Sequence, residues 1–132
     1  MPLRISLRAG ERLIVGGAVV RNGGHRCDLV IENDVPILRG KDVLSLDEAS
    51  SPCKRIQFAI QLMYVDPEHR SSHRTLLRQL VAEVLEASPS MRQLIEEIDD
   101  KIAAGQYYQA LRLGRQLILY EQELISHAVA RR

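Results

Sequence analysis

Residues 8–44 read RAGERLIVGGAVVRNGGHRCDLVIENDVPILRGKDVL, and this stretch decides the fold of the amino-terminal part. Its apolar runs are too short for helices, and their valines and isoleucines suit a half-buried pleated surface. Asn22-Gly23 between two such runs is typical of a hairpin turn. Pro36 cannot donate to a strand ladder, so residues 35–38 form an edge strand at best. We therefore expect a small antiparallel β meander or barrel-like sheet.

The carboxy-terminal half carries three amphipathic patterns. Asp66 before a proline is a good start for the first helix, and Ser90 begins a capping-box pattern at the head of the second. Gly105 ends the second helix, and the third covers about residues 106–128. Helices joined by such short turns pack antiparallel. The sequence thus predicts an α+β fold in which an antiparallel three-helix unit follows the sheet.

The segment RIQFAIQLMYV, residues 55–65, is the most continuously apolar part of the chain. Its alternating residues fit a strand, although part of it also satisfies a helix face. We predict a strand that enters the core. The predicted division is a basic antiparallel β subdomain over residues 1–56. A core strand plus a helical subdomain follow over residues 57–132, and we expect both parts to pack as one unit.

Charge is balanced overall but unevenly distributed. Eighteen lysines and arginines face seventeen acidic residues, giving a formal net charge of +1. The first 26 residues, however, contain five arginines and one acid, Glu11. Arginines often do no more than solvate a sheet face, yet this excess favours an anion-binding amino-terminal part.

The sequence also predicts a compartment. No apolar segment approaches the length of a membrane span, and the first residues lead into a strand pattern rather than a signal peptide. We therefore expect a cytoplasmic protein without a membrane partner. Cys27 and Cys53 are far apart and outside any Cys-x-x-Cys spacing, so two free thiols are expected.

The sequence offers little support for a catalytic site. The glycines match neither nucleotide-binding fingerprint, and their role in turns is sufficient. His69 and His73 have the spacing of one helix face, but no third metal ligand is evident. The acidic residues at 96–100 fit a solvated helix face better than a pair for acid–base chemistry. We predict a non-enzyme with no metal site and no cofactor.

Several segments, in order, carry a family resemblance: MPLRISLRAGERL, GAVVRNG, IEN, ILRGKDVL, SSPCKRIQFAIQLMYV and GQYYQALRLGRQLILYE. With them the chain resembles the FlbT family, small post-transcriptional regulators of flagellin synthesis in bacteria. The resemblance implies a cytoplasmic, RNA-binding repressor in bacterial flagellum biogenesis. Its partner would be the untranslated leader of flagellin mRNA, and leader binding would block translation or promote mRNA degradation.

RNA binding of this kind requires cations for phosphates, and strand edges or flat side chains for bases. The first aromatic residue is Phe58, so the β part lacks an aromatic stacking platform. The flat guanidinium groups of arginines and the exposed edges of strands would have to take the place of aromatic rings in contacting the bases. The candidate RNA-binding residues are Arg4, Arg8, Arg12, Arg21, Arg26, Arg39 and Lys41.

A second, local resemblance ranks these candidates. Residues 10–16, GERLIVG, followed by Ile37-Leu38-Arg39, are similar to a segment of the carbon-storage regulator (CsrA) family of translational repressors. That family binds message leaders through an amino-terminal strand and an arginine after its last strand. The resemblance therefore implies that Arg4 and Arg39 are the positions to test first.

A competing hypothesis is a protein-interaction module, a chaperone-like partner of flagellin or of another flagellar assembly factor. Apolar and tyrosine residues outside the inward stripe of the last helix support it, because such residues often mark a binding surface. These candidate partner-binding residues are Tyr107, Tyr108, Leu113, Leu119 and Tyr120. They also fit a helix buried within one monomer, and the sequence leaves the choice between a monomer and a homodimer open.

Overall fold

A computed structural model describes residues 2–130, with side chains up to residue 129, and confirms the α+β class. Antiparallel strands come first and helices follow. The chain forms two compact units, Met1–Val43 and Leu44–Arg132. The predicted boundary between residues 56 and 57 falls inside a helix, and the units divide between residues 43 and 44 instead.

The first unit contains two antiparallel sheets. Strand β1 pairs with β4, while β2 lies between β3 and β5. The connectivity is therefore not that of a simple meander, since only β2 and β3 are both consecutive and paired. The five strands are β1 (Leu3–Leu7), β2 (Arg12–Val15), β3 (Ala18–Arg21), β4 (Cys27–Ile31) and β5 (Ile37–Arg39).

Alternation along β1 builds the core of this unit. Ile5 and Leu7 point inward and cluster with Leu13 of β2, and all three are almost completely buried. Arg4 and Ser6, which alternate with them along β1, are exposed on the opposite face. Strand β2 is the central strand of its sheet, and its neighbouring residues Leu13 and Ile14 are both buried although they point to opposite faces.

The predictions of an edge strand and of a hairpin in the first unit have different outcomes. The edge strand predicted at residues 35–38 is confirmed in part, because β5 lies at the edge of its sheet but begins only after Pro36 and covers Ile37–Arg39. The Asn22-Gly23 hairpin is wrong, because β3 and β4 do not pair and the tight hairpin turn lies between β2 and β3 at Gly16, with φ +59°. Asn22 instead organises a loop, where its Nδ2 donates to the carbonyl oxygens of Leu7 at 3.2 Å and His25 at 2.9 Å.

The second unit is helical. Its four helices are α1 (Pro52–Val65), α2 (Arg70–Ala87), α3 (Arg92–Ala103) and α4 (Tyr107–Ala130). Short 3-10 turns, Pro67–His69 and Pro89–Met91, precede α2 and α3. None of the helices within residues 2–130 is long and apolar enough to cross a membrane.

The strand predicted at residues 55–65 is wrong, and this segment belongs to α1. The Ser51 side chain accepts a hydrogen bond from the backbone N–H of Lys54, and Pro52 occupies the first turn. Helix α1 packs against both α2 and α4, so apolar residues occur on most of its sides and mask the helical period. The unit therefore has four helices rather than three.

Polar side chains also fix α1. Both atoms of the Gln61 amide bind the backbone of Leu44, at 2.9 Å and 2.8 Å. The buried carboxylate of Glu121 on α4 accepts hydrogen bonds from the Ser51 hydroxyl at 2.5 Å and from the Cys53 backbone N–H at 3.0 Å. Burial, with a smaller contribution from Glu121, raises the pKa of the Cys53 thiol to about 12, so this thiol stays protonated.

Candidate functional site

All seven candidate RNA-binding residues lie in the first unit, and all of them except the half-buried Arg12 are exposed. Arg4 projects from the outer face of β1, where its register partner on β4 is Val30. Arg21 ends β3, Arg26 lies in the loop before β4, and Lys41 belongs to a short turn after β5. These four cations are therefore accessible to an anionic ligand.

Arg8 and Arg39 are brought together by an acid. Glu11 accepts a hydrogen bond from the backbone N–H of Arg8 at 3.0 Å and lies 3.3 Å from Nη2 of Arg39. The same Nη2 donates to the carbonyl oxygen of Ser6 at 2.6 Å, which ties β5 to β1. We call Arg8, Glu11, Arg39 and Ser6 the Glu11 clasp.

The electrostatics of the Glu11 clasp follow from this geometry. Only 8% of the Glu11 side chain is exposed. The hydrogen bond from the Arg8 backbone, followed by the hydrogen bond and charge of Arg39, holds the pKa of Glu11 below its ordinary value although burial opposes this. The single negative charge of Glu11 thus balances one of the two positive charges of Arg8 and Arg39. Arg39 has a structural role within the unit.

Arg12 is also engaged within the unit. It is half-buried, and its Nη2 donates to the carbonyl oxygen of Val43 at 3.2 Å. Its register partner across the hairpin is Arg21, so two arginines lie on the same face of neighbouring strands. Contacts within the unit, rather than exposure, therefore separate Arg8, Arg12 and Arg39 from Arg4, Arg21, Arg26 and Lys41.

Strand β3 is the most accessible element of the first unit. All four of its residues are exposed, and 66% of Val19 remains open to solvent. Within residues 2–130, no strand pairs with the outer side of β3. Its outward backbone groups are therefore available beside Arg21.

Sequence reasoning missed two residues that shape this surface. Glu11 is the single acid of the first 26 residues, and that isolation among arginines was the available signal for the clasp. Asn22 holds the loop that precedes Arg26, because Gly24 also donates its backbone N–H to Asn22 Oδ1 at 3.1 Å. The Asn22-Gly23 pair predicts a hairpin, but the side-chain hydrogen bonds of Asn22 explain why an asparagine lies at this position.

The five candidate partner-binding residues on α4 do not form one surface. The Arg70 guanidinium lies 4.4 Å from the ring centre of Tyr107, and the Tyr120 hydroxyl donates to Ser90 at 2.7 Å. Both tyrosines are half-buried, as is Leu113. By contrast, Tyr108 and Leu119 are 45% and 61% exposed. They are about three turns apart and share one face of α4.

Asp66 joins the two histidines that the sequence singled out. It accepts hydrogen bonds from His73 Nε2 at 2.9 Å and from His69 Nδ1 at 3.1 Å. These bonds hold the pKa of Asp66 below its ordinary value, and Asp66 in turn raises the pKa of His69. In the part of the chain that the structure describes, no group of three or more histidine, cysteine, aspartate or glutamate side chains is arranged to hold a metal ion. Cys27 and Cys53 are both free thiols.

The family model described as "Flagellar protein FlbT" matches residues 3–125. The chain belongs to the FlbT family. A FlbT relative from Rhodopseudomonas palustris (strain TIE-1), named a probable flagellum biosynthesis repressor protein, is 40% identical over 126 residues, covering 96% of this chain and 99% of the relative. The "Flagellum biosynthesis repressor protein FlbT" of Caulobacter vibrioides (strain ATCC 19089) is 36% identical, covering 96% and 92%. No solved structure matches this FlbT chain significantly.

Proposed function

We propose that this FlbT-family protein is a cytoplasmic, RNA-binding repressor of flagellum biosynthesis that binds the untranslated leader of flagellin mRNA. Binding blocks translation or exposes the transcript to degradation. The protein needs no chemistry of its own for this, because occupying a leader is enough to exclude another factor. Membership of a family whose relatives are named as flagellum biosynthesis repressors supports the regulatory part of the proposal.

The observation that carries the RNA-binding part is the exposed edge strand β3 beside Arg21. A free strand edge offers backbone donors and acceptors to unpaired bases, while cations hold the phosphates. The exposed side chains Val19 and Val20 add an aliphatic surface to the same strand. Arg4 lies on the other sheet of the same unit and adds a further phosphate contact.

Equilibrium binding across a salt series tests this proposal. The full chain is titrated against a flagellin leader RNA and a shuffled RNA of equal length. The leader binds more tightly, and its affinity falls as salt rises. Each phosphate contact on a single strand contributes about −0.7 to the slope of log K against log salt, so Arg4, Arg21, Arg26 and Lys41 together give a slope of about −3.

Charge reversal locates the surface. Arg21→Glu and Arg4→Glu each weaken leader binding and make the slope shallower by about 0.7, the value for one phosphate contact on a single strand. Arg92→Glu is the matched control, because Arg92 is also an exposed arginine but lies in the second unit. Equal binding of both RNAs, or equal losses in the Arg21 and Arg92 variants, contradicts the proposal.

A protein-interaction function is the second candidate, and the exposed pair Tyr108 and Leu119 favours it. Two large apolar side chains on one helix face form a surface that flagellin or another flagellar factor could cover. Tyr108→Ser/Leu119→Ser then reduces flagellin binding at least tenfold and leaves leader binding unchanged. Tyr107 and Tyr120 are poorer choices for this test, because their contacts lie within the second unit.

A further inference from the structure

Strand β4 has an unprotected edge. It pairs with β1 on one side, and within residues 2–130 no strand pairs with its other side. Three of its five residues are exposed, among them Val30 at 51%. Proteins usually protect such an edge with lysine, proline, a bulge or a very short strand. Strand β4 contains neither lysine nor proline, its register with β1 is unbroken, and its one charged residue is Asp28.

The other strand edges of the first unit differ from this one. On β1, the Ser6 carbonyl oxygen accepts a hydrogen bond from Arg39. Strand β5 is only three residues long and follows Pro36. Strand β3 ends at Arg21 and is the proposed RNA-binding strand. Among the described residues, β4 is therefore the long edge that lacks both a protective device and an assigned partner.

The sequence around β4 is complementary to itself in one antiparallel register. When Leu29 lies opposite Leu29 of a second copy, Arg26 lies opposite Glu32, and Asp28 lies opposite Val30. Arg26 and Glu32 are both exposed. Because a two-fold axis repeats every contact, this register gives two pairs of opposite charges. Within residues 26–32, no two like charges face each other.

Neighbouring registers fit less well. Leu29 and Ile31 lie on the face of β4 that packs against the core, and both are half-buried. A shift by one residue would place this core-facing side of one copy beside the solvent-facing side of the other. A shift by two residues would place Asp28 opposite Asp28 or opposite Glu32, and like charges directly opposite each other are destabilising. Faces and charges therefore select the register with Leu29 on the axis.

We propose that β4 pairs antiparallel with β4 of a second copy and so joins two β1–β4 sheets into one four-stranded sheet. The self-complementary charges favour a second copy over an extended segment of another protein, which would need only the backbone of the edge. A pair of five-residue strands is smaller than a standard protein interface, so the dimer is weak and depends on concentration. It does not use the edge of β3, which belongs to the other sheet.

Sedimentation equilibrium of the full chain over a concentration series, without RNA, tests this proposal. Val30→Asp places an aspartate opposite Asp28 of the second copy, twice, and weakens the dimer about tenfold. Val30→Lys places a lysine there and tightens the dimer about tenfold. Tenfold corresponds to about 1.4 kcal/mol, shared between two directly opposed pairs. Asp28→Lys/Val30→Asp restores opposite charges and returns the dissociation constant to near that of the unmodified protein.

Contacts within one chain act in the other direction. Val30 faces Arg4 on β1, so an aspartate at position 30 is favourable inside the monomer and a lysine is unfavourable. A loosened fold therefore cannot produce the predicted order of the two variants. Leu46→Asp and Leu46→Lys are the matched controls, because Leu46 is also an exposed apolar residue but lies in the second unit. They leave the dissociation constant unchanged.

Three results overturn the proposal. The first is a monomer throughout the concentration series. The second is a change in the same direction, or no change, in both Val30 variants, because β4 then does not face itself in this register. The third is a dimer that the Leu46 variants dissociate and the Val30 variants do not, because its interface then lies in the second unit. The RNA titration is a separate measurement, so the dimer and the proposed function can fail independently.

Discussion

Gly114 on α4 is required by a close approach to α1, and replacing it with alanine tests that packing. A Cβ built on Gly114 overlaps the Oε1 atom of Gln57 and lies 2.8 Å from its Cδ. Gln57 is buried, and its Nε2 donates to the carbonyl oxygen of Leu111 at 2.9 Å. The Gln57 side chain therefore cannot swing away from an added methyl group without losing this hydrogen bond.

The magnitude follows from three contributions. Alanine in a helix interior is favoured over glycine by about 1 kcal/mol. Overpacking a core costs about 1–3 kcal/mol, and a lost buried hydrogen bond costs about 1 kcal/mol more. We therefore expect Gly114→Ala to lower the free energy of unfolding by about 2 kcal/mol, although helix propensity alone would raise it.

Urea unfolding followed by far-UV circular dichroism, which reports on the helical unit, measures this change. The matched background is Gln57→Ala, where the overlapping atoms are gone. In that background Gly114→Ala stabilises the protein by about 1 kcal/mol, so the sign of its effect reverses. A stabilising effect in the unmodified protein, or the same loss in both backgrounds, refutes the close-approach reasoning.

Three further changes test the other buried or charged contacts. Glu11→Gln lowers the stability of the protein at neutral pH and makes stability fall less in acid. The lowered pKa of Glu11 means that its carboxylate stabilises the fold above the ordinary pKa of 4.5, and that this stabilisation is lost as pH falls through the lowered pKa. Urea unfolding midpoints at pH 3 and pH 7 measure both effects. Asp66→Asn makes stability fall less steeply above pH 6.5. The raised pKa of His69 means that its interaction with Asp66 stabilises the fold fully below pH 6.5 and that this stabilisation is lost as pH rises through the raised pKa. Unfolding midpoints over a pH series measure the change. Glu121→Ala destabilises the helical unit by about 2 kcal/mol, because the Cys53 backbone N–H loses its buried partner, whereas exposed Glu123→Ala changes thermal unfolding little.

Local patterns were sufficient wherever one face of an element is buried and the other is solvated. The alternation in β1 predicted its strand, and the single stripe of α3 predicted a helix ending at Gly105, where φ is +74°. The segment of α1 failed for the opposite reason. It is buried against two other helices, so its apolar residues lost the helical period, and the cap at Ser51-Pro52 was the better signal.

The site was less predictable than the fold, because a cation's role depends on its neighbours in space. Arg21 and Arg39 are both exposed strand-end arginines, yet only Arg39 binds Glu11 and the Ser6 carbonyl oxygen. Twenty-eight residues separate Glu11 from Arg39, so only the pairing of β2 with β5 brings them together. No local pattern contains that information.

These contacts change which arginines are the best candidates for RNA. Charge in the Glu11 clasp is partly balanced, and Arg39 holds β5 to β1, so a loss of binding in an Arg39 variant would mix a lost ligand contact with a loosened fold. Arg21 has no such ambiguity, because it is exposed at the end of an edge strand whose outer side is unpaired among the described residues. A phosphate bound by Arg21 would also place the adjoining nucleotides beside β3. Backbone recognition of unpaired bases therefore favours β3 and Arg21 over Arg39 as the centre of the RNA-binding surface.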